Sequence, residues 1–155
     1  MQESCRSIYK TARQVAGLTQ ERAAEMLGIS VRSLADYEQG IRIPSNPVVD
    51  GMVTVYNSQV LGIQHLRASA DLARSILPEV QEMCLSEAVL SLVDAIYDFA
   101  DDRLDRELID IAKDGIISED ERERFQRIVA KIRHITAAAM VVSCARGKEE
   151  LPCRR

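Results

Sequence analysis

Residues 18–40 constrain the fold of this chain more than any other stretch. They read LTQERAAEMLGISVRSLADYEQG, which predicts two short helices joined by a tight turn. Thr19 is placed to cap the first helix, and Gly28 suits the left-handed turn that ends it. Ser30 then caps the second helix, and Gly40 ends it. Local signals alone therefore define a helix, a glycine turn and a helix.

This segment resembles the helix-turn-helix of the Cro and phage-repressor (Xre) family of transcriptional regulators. The resemblance covers residues 6–57 and is carried by Gln20, Ala23, Leu27, Gly28, Ile29, Ser30, Leu34, Tyr37, Glu38, Gly40 and Pro44. It implies an all-α domain like that of lambda repressor, in which the second helix, residues 31–39, enters the major groove of double-stranded DNA. The alternative is a helical hairpin that has no role on DNA.

The family's geometry implies which residues face the bases, because the first turn of the recognition helix and its next outward position lie against base edges. These residues are Val31, Arg32, Ser33 and Asp36. Arg32 can donate two hydrogen bonds to guanine, whereas Val31 offers only apolar contact to a thymine methyl group. Asp36 follows Arg32 by four residues, so it is placed to hold Arg32 or to accept from a cytosine amine. The alternative to base contact is that Arg32 contacts a DNA phosphate.

Other polar residues are expected to have positioning or structural roles. The residues expected to contact DNA phosphates are Gln20, Arg42, Arg22 and Lys10. Such contacts fix orientation and carry no sequence information. The resemblance also implies a buried ion pair between Arg13 and Glu38, which we interpret as structural.

The charge balance limits the affinity expected for DNA. Residues 1–58 hold six basic and six acidic side chains, so the rest of the chain has 14 of the 20 basic and 18 of the 24 acidic residues. Affinity for DNA rises with the number of phosphates neutralised. A neutral N-terminal part should bind weakly as a monomer and depend on dimerisation, and the acidic remainder is not expected to touch DNA.

Two further helices complete the predicted N-terminal domain, residues 1–57. The first covers residues 6–16, and the other starts near Pro47, a favoured first-turn residue. Their apolar side chains should close a small core with those of the helix-turn-helix. The expected core residues are Ile8, Ala23, Leu27, Ile29, Leu34, Tyr37, Val48, Val49, Met52, Val53 and Tyr56.

The rest of the sequence predicts a helical dimerisation or interaction domain, residues 58–145, and a disordered tail, residues 146–155. A fifth helix is expected over residues 59–77, with His65 at its surface or half-buried. A long helix, residues 86–113, is expected to be capped by Ser86.

A last helix is expected after the capping box of Ser118 and Glu121. With the helix before it, this helix would form an antiparallel hairpin whose apolar stripes need further partners, for example a second copy. This part also loosely resembles small helix-turn-helix regulators of bacterial mobile elements, a resemblance that supplies no site residue.

Other classes of protein find little support in the sequence. The sequence has only two histidines, and it contains neither a glycine-rich phosphate loop nor a nucleophile motif. These features argue against an enzyme, so we expect no catalytic residue and no cofactor. The four cysteines form no C-x-x-C pair, which argues against a zinc site, and no calcium loop has the required spacing. The sequence has no apolar run long enough for a membrane span, and its N-terminus lacks the apolar segment of an export signal. We therefore expect a cytoplasmic protein.

Two functions remain open at this stage. The first is a homodimeric, sequence-specific DNA-binding regulator, expected to be a repressor, with the C-terminal helices pairing two copies. The second is a protein-interaction adaptor, antitoxin-like or anti-repressor-like, built on a helix-turn-helix scaffold.

Overall fold

The structure is a computed structural model that describes residues 3–145, with side chains from Ile8 onward. These residues form nine helices and no strand, so the all-α prediction is confirmed for the described part of the chain. The tail predicted for residues 146–155 lies outside the described residues. The helices are α1 (Glu3–Val15), α2 (Gln20–Leu27), α3 (Val31–Glu38), α4 (Asn46–Tyr56), α5 (Gln59–Ser69), α6 (Asp71–Ile76), α7 (Leu85–Asp101), α8 (Leu104–Ala112) and α9 (Glu119–Cys144).

The predicted turn between α2 and α3 is confirmed in its details. The Thr19 hydroxyl accepts a hydrogen bond from the Arg22 N–H at 3.2 Å, and the Ser30 hydroxyl accepts from the Ser33 N–H at 3.0 Å. Gly28 has a φ of 65°, in the left-handed region where a glycine avoids the clash of a Cβ atom. The N–H of Ile29 then donates back to an α2 carbonyl at 3.1 Å, which closes the helix end.

The core of the N-terminal unit includes every residue that the apolar spacing predicts, and it also buries Tyr9 and Leu61, which that spacing did not place there. Its buried residues are Tyr9, Ala12, Ala23, Ala24, Leu34, Tyr37, Val49, Met52, Tyr56 and Leu61, with Ile8, Leu27, Ile29, Val48 and Val53 packed at its edge. Leu34 and Met52 are fully buried, so α3 and α4 are held by the same core. Removing apolar side chains of this size from water is the main favourable contribution to folding.

The chain divides into two compact units, one of described residues up to Glu82 with Cys144 and Ala145, and the other Met83–Ser143. We call them the N-terminal unit and the C-terminal unit. The first continues past the boundary expected at residue 57, because α5 packs against α1 and α4. The segment after α6 also belongs to it: the Ser58 hydroxyl donates to Glu82 at 2.6 Å, and Val80 is buried.

The predicted fifth helix is two helices, α5 and α6, separated at Ala70. Ala70 has φ −137° and ψ 123°, an extended conformation that interrupts the helix. The single helix expected over residues 59–77 is therefore wrong at this residue. Pro78 follows α6 closely, and its missing N–H cannot continue a helix.

The long helix predicted for residues 86–113 is also broken, into α7 and α8. Arg103 lies between them in the left-handed region, with φ 53°. The start of the helix differs too: α7 begins at Leu85, and the Glu87 carboxylate accepts from the Cys84 N–H at 3.2 Å. Ser86 is thus inside the first turn and is not the cap.

The C-terminal unit contains the predicted antiparallel hairpin, with its first arm broken at Arg103. Glu107 pairs with Arg127 at 2.9 Å, and Asp98 pairs with Lys131 at 3.3 Å. The earlier residue of the first arm thus pairs with the later residue of α9, which shows that the two arms are antiparallel. Between the arms lies a core of Leu104, Ile111 and Ile128, with Phe99, Leu108 and Phe125 against it.

The α8–α9 turn uses the predicted pair of Ser118 and Glu121. The Ser118 N–H and hydroxyl both donate to the same Glu121 oxygen, at 3.0 and 2.6 Å. These two donors lower the pKa of the Glu121 carboxyl. The serine hydroxyl thus donates to the carboxylate, whereas a full capping box would have it accept from a backbone N–H.

Candidate nucleic-acid interface

The first turn of α3 is exposed at its outward face. Val31 is 40% exposed and Arg32 is exposed, whereas Leu34, Tyr37 and Glu38, later in the same helix, are buried. This division follows from helical periodicity, which places residues three and four apart on one face. An apolar side chain and a guanidinium are therefore presented together at the start of α3.

Arg32 keeps its donors available in this arrangement. Within residues 3–145, the Arg32 guanidinium has no hydrogen-bond or ion-pair partner. Asp36 lies one turn further along α3 and is half-buried, but it does not pair with Arg32 in the described structure. The described structure therefore shows no contact by which Asp36 would hold Arg32.

Ser33 is engaged locally and is half-buried. Its hydroxyl lies 2.9 Å from the Ser30 hydroxyl, and its N–H donates to the same Ser30 oxygen. The two serines therefore stabilise the first turn of α3. Ser33 remains at the margin of the outward face formed by Val31 and Arg32.

The other end of α3 is fixed by a buried ion pair between Arg13 of α1 and Glu38. The Arg13 Nε and Nη2 atoms donate to the two Glu38 carboxylate oxygens at 2.5 and 3.0 Å. The Arg13 Nη1 donates to the Leu18 carbonyl at 2.7 Å. Arg13 is 7% and Glu38 4% exposed, and the hydrogen bond to Glu38 raises the pKa of Arg13. The two side chains therefore satisfy each other's hydrogen-bonding groups inside the domain.

Gln20 joins this network. Its Nε2 donates to Glu38 at 2.7 Å, so α2 is tied to the end of α3 through the same carboxylate. The side chain of Gln20 is thus partly committed to Glu38. Its backbone N–H lies at the N-terminus of α2, where anions are favoured.

Tyr56 lies near the ion pair and was not anticipated as more than a core residue. Burial raises the pKa of its phenol to about 12, and the negative charge of Glu38 adds to that effect while Arg13 opposes it. The phenol is therefore neutral over the physiological range. Its position near a carboxylate had no local signal in the sequence.

The three remaining residues expected at phosphates differ in how free they are. Arg42 follows α3, with its Cζ atom 5.8 Å from the centroid of the Tyr37 ring, a distance typical of a cation–π contact. Arg22 pairs with Glu25 at 2.7 Å on an exposed face of α2. Lys10 is exposed on α1. Arg22 is therefore the most neutralised of the three.

A second polar group that sequence reasoning missed is His65, which is 3% exposed and lies in the N-terminal unit. Its Nδ1 is 2.8 Å from the Tyr9 hydroxyl and its Nε2 is 3.0 Å from Asn46 Oδ1. The expectation of a surface or half-buried His65 is wrong, because α5 packs against α1 and α4. Burial lowers the pKa of its imidazole, so the neutral form joins three helices.

Among the side chains that the structure describes, residues 8–145, there is no cluster of three or more histidine, cysteine, aspartate or glutamate residues able to hold a metal ion. In the same part of the chain, no helix combines the length and the apolar character that crossing a bilayer requires.

Comparison with known proteins supports the assignment of the N-terminal unit. The family described as Helix-turn-helix matches residues 10–61, which run from α1 into α5. The comparison with curated proteins and that with solved structures each gave no significant match. Residues 10–61, a third of the chain, thus match a helix-turn-helix family of the Cro and phage-repressor (Xre-like) type, whose members are DNA-binding transcriptional regulators.

Proposed function

We propose that this protein is a sequence-specific regulator, a repressor, that binds double-stranded DNA as a homodimer with α3 in the major groove. The observation that carries the proposal is the outward first turn of α3, where Val31 and Arg32 are exposed while the rest of the helix is held by the core and by Glu38. A helix of this width fits the major groove, and its N-terminal residues reach base edges there.

Arg32 is the main base-reading residue in this proposal. Its unpaired planar guanidinium suits guanine O6 and N7, and such a pair provides about 1–3 kcal/mol of discrimination. Val31 contacts a thymine methyl group, Asp36 accepts from a cytosine amine, and Ser33 lies at the edge of the contact. With one arginine among these four, base reading is moderate and DNA shape contributes the rest.

The backbone contacts come from residues around this face. The Gln20 N–H at the start of α2 and the Arg42 guanidinium beside Tyr37 are the strongest candidates, with Lys10 and Arg22 further out. Because Arg22 already pairs with Glu25, its gain on binding a phosphate is smaller. Few phosphates are therefore neutralised per copy, which gives weak binding by a single domain.

Weak binding by one domain supports a homodimer. Two helix-turn-helix domains on one duplex contact half-sites about 34 Å apart, one helical turn, and their contributions combine. The C-terminal unit supplies the pairing surface in this proposal. Repression is the simplest consequence, since a bound dimer excludes other proteins from the DNA that it covers.

Selection from a random duplex pool at low salt tests the proposal. We expect an enriched, two-fold symmetric sequence, and Arg32→Ala should weaken binding to it about 5- to 100-fold while binding to random duplexes changes little. Arg133→Ala, at an exposed arginine of α9, is the matched control and should leave both affinities unchanged. Failure to enrich any sequence would overturn the proposal.

The neutral charge of residues 1–58 favours a second candidate, a protein-interaction adaptor of antitoxin or anti-repressor type on the same scaffold. In that case the chain forms a stable complex with a different protein and shows no salt-dependent binding to any duplex. A titration with duplex DNA at several salt concentrations separates the two candidates, because only the regulator gives a salt slope.

A further inference from the structure

Helix α7 has an apolar face that the C-terminal unit leaves exposed. Its members are between 39% and 64% exposed, and they are Leu85, Val89, Leu90, Val93, Ile96 and Tyr97. Buried Ala88 and Ala95 lie on another side of the helix and pack within the unit. Six large apolar side chains left in water on one helix mark an interaction surface.

The six side chains share one continuous arc. At about 100° of rotation per residue, they fall within about 140° of the helix circumference, and Ala100 and the polar, exposed Ser86 also fall inside that arc. The α7 acids Glu87, Asp94, Asp98 and Asp101 fall beyond one edge of the arc, next to Leu90 and Tyr97. We call this surface the α7 arc.

We propose that the α7 arc binds the α7 arc of a second copy of this chain, and that this contact forms the homodimer. The inference rests on the proposed function, and it names the surface that pairs the two DNA-binding units. A contact of the same surface with itself is the usual arrangement of a two-fold dimer.

The size of the α7 arc matches such a contact. Its six exposed side chains place it near the upper end of the roughly 300–600 Å² of apolar patch that a monomer leaves in water. Two arcs face to face bury about 1,200 Å², which reaches the range of specific protein interfaces. The core of such an interface is expected to be apolar, as the α7 arc is.

The charges of α7 also allow self-pairing. The helix carries no lysine or arginine, and its acids lie beyond one edge of the arc only. When two copies pair with their α7 helices parallel about a two-fold axis, each acidic edge meets the uncharged edge near Leu85 and Ile96. An antiparallel pair brings the two acidic edges together, which costs free energy by like-charge repulsion, even though Lys131 offsets the charge of Asp98.

Light scattering of the full chain without DNA tests the inference. We expect the wild type to be a dimer, and Leu90→Glu and Tyr97→Glu to weaken the dimer on the order of 100-fold, since each change occurs twice and places a charge in an apolar contact. The control is Ile109→Glu on α8 of the same unit, because Ile109 is 63% exposed, as is Tyr97. The Ile109→Glu variant should remain a dimer, and circular dichroism should show equal helix content for all variants.

The outcomes separate this inference from the proposed function. A dimer that survives both α7 substitutions, or one that Ile109→Glu disrupts equally, overturns the α7 arc and leaves a DNA-binding homodimer intact. A wild type that is monomeric at every concentration measured overturns the inference, whether or not a different protein covers the arc. DNA selection with Arg32→Ala then decides the DNA-binding proposal independently.

Discussion

Arg13 and Glu38 meet through two nearly parallel hydrogen bonds, although 25 positions separate them in the sequence. The pair joins α1 to the last residue of α3, and Gln20 brings in the first residue of α2. A bidentate pair of this kind fixes direction as well as distance. The orientation of α3 thus depends on one carboxylate that lies away from its exposed first turn.

Glu38→Ala should lower the free energy of unfolding by about 3–5 kcal/mol, because it leaves the Arg13 charge buried without a partner. Urea unfolding followed by circular dichroism measures this. The control is Glu25→Ala, which breaks the exposed pair with Arg22 and should cost about 0–1 kcal/mol. Equal effects of the two substitutions would contradict a structural role for the buried pair.

His65 should make the stability of the protein depend on pH on the acidic side. Burial lowers its pKa below the ordinary 6.5, so the unfolded chain binds a proton more readily than the folded one. The stabilisation is complete above pH 6.5 and is lost as the pH falls through 6.5 toward the lower folded pKa.

Urea unfolding at a series of pH values measures this dependence. His65→Gln should remove the His65 contribution from the profile. His134→Gln, at the exposed histidine of α9, should retain it. A profile that is the same for wild type and His65→Gln would contradict the prediction.

Gly28→Ala should destabilise the N-terminal unit by about 1–2 kcal/mol, the usual cost of a left-handed residue that has a Cβ atom. A Cβ at this position meets no atom within 4 Å, so the cost comes from the backbone alone. Thermal unfolding checks it, with Gly28→Asn as the comparison, since asparagine tolerates this conformation better. A neutral Gly28→Ala would show that the turn has moved.

Arg42→Ala should weaken binding to specific and random duplexes by similar factors. If Arg42 contacts a phosphate, its removal lowers the salt slope of the binding constant by about 1, whereas Arg32→Ala mainly changes sequence preference. Fluorescence anisotropy at several salt concentrations measures both. A loss confined to the selected sequence would assign Arg42 to a base edge and contradict the prediction.

Val89→Cys should cross-link two copies when the four native cysteines are replaced by serine. In a parallel α7 pair each residue 89 lies opposite its counterpart, within the roughly 7 Å between Cα atoms that a disulfide spans. Non-reducing electrophoresis after mild oxidation detects the product. Ile109→Cys in the same background should give little product, and equal yields from the two would count against parallel pairing.

The parts of the structure that the sequence predicted correctly depend on local signals. Thr19, Gly28, Ser30 and Gly40 each act on neighbouring backbone, so the bounds of α2 and α3 could be predicted from residue type alone. The apolar spacing then predicted most of the core, but not the buried Tyr9 and Leu61. The Arg13–Glu38 pair came from the family resemblance, because nothing in the spacing of two distant charged residues indicates a contact.

The failures share a different cause. Arg103 adopts a left-handed conformation that arginine seldom takes, so no residue type marked the break between α7 and α8. Ala70 is a strong helix former, yet its backbone is extended. His65 is buried because three helices converge on it. Each of these features depends on tertiary packing, which no short window of sequence contains.

The separation of anchoring and outward residues on α3 has an evolutionary consequence. The side chains that hold the helix are at Leu34, Tyr37 and Glu38, and those that face away are at Val31 and Arg32. Exchanges at the outward pair leave the interior intact, so, on the proposed role of α3 in base reading, this scaffold can acquire new target sites by single steps without first losing its stability.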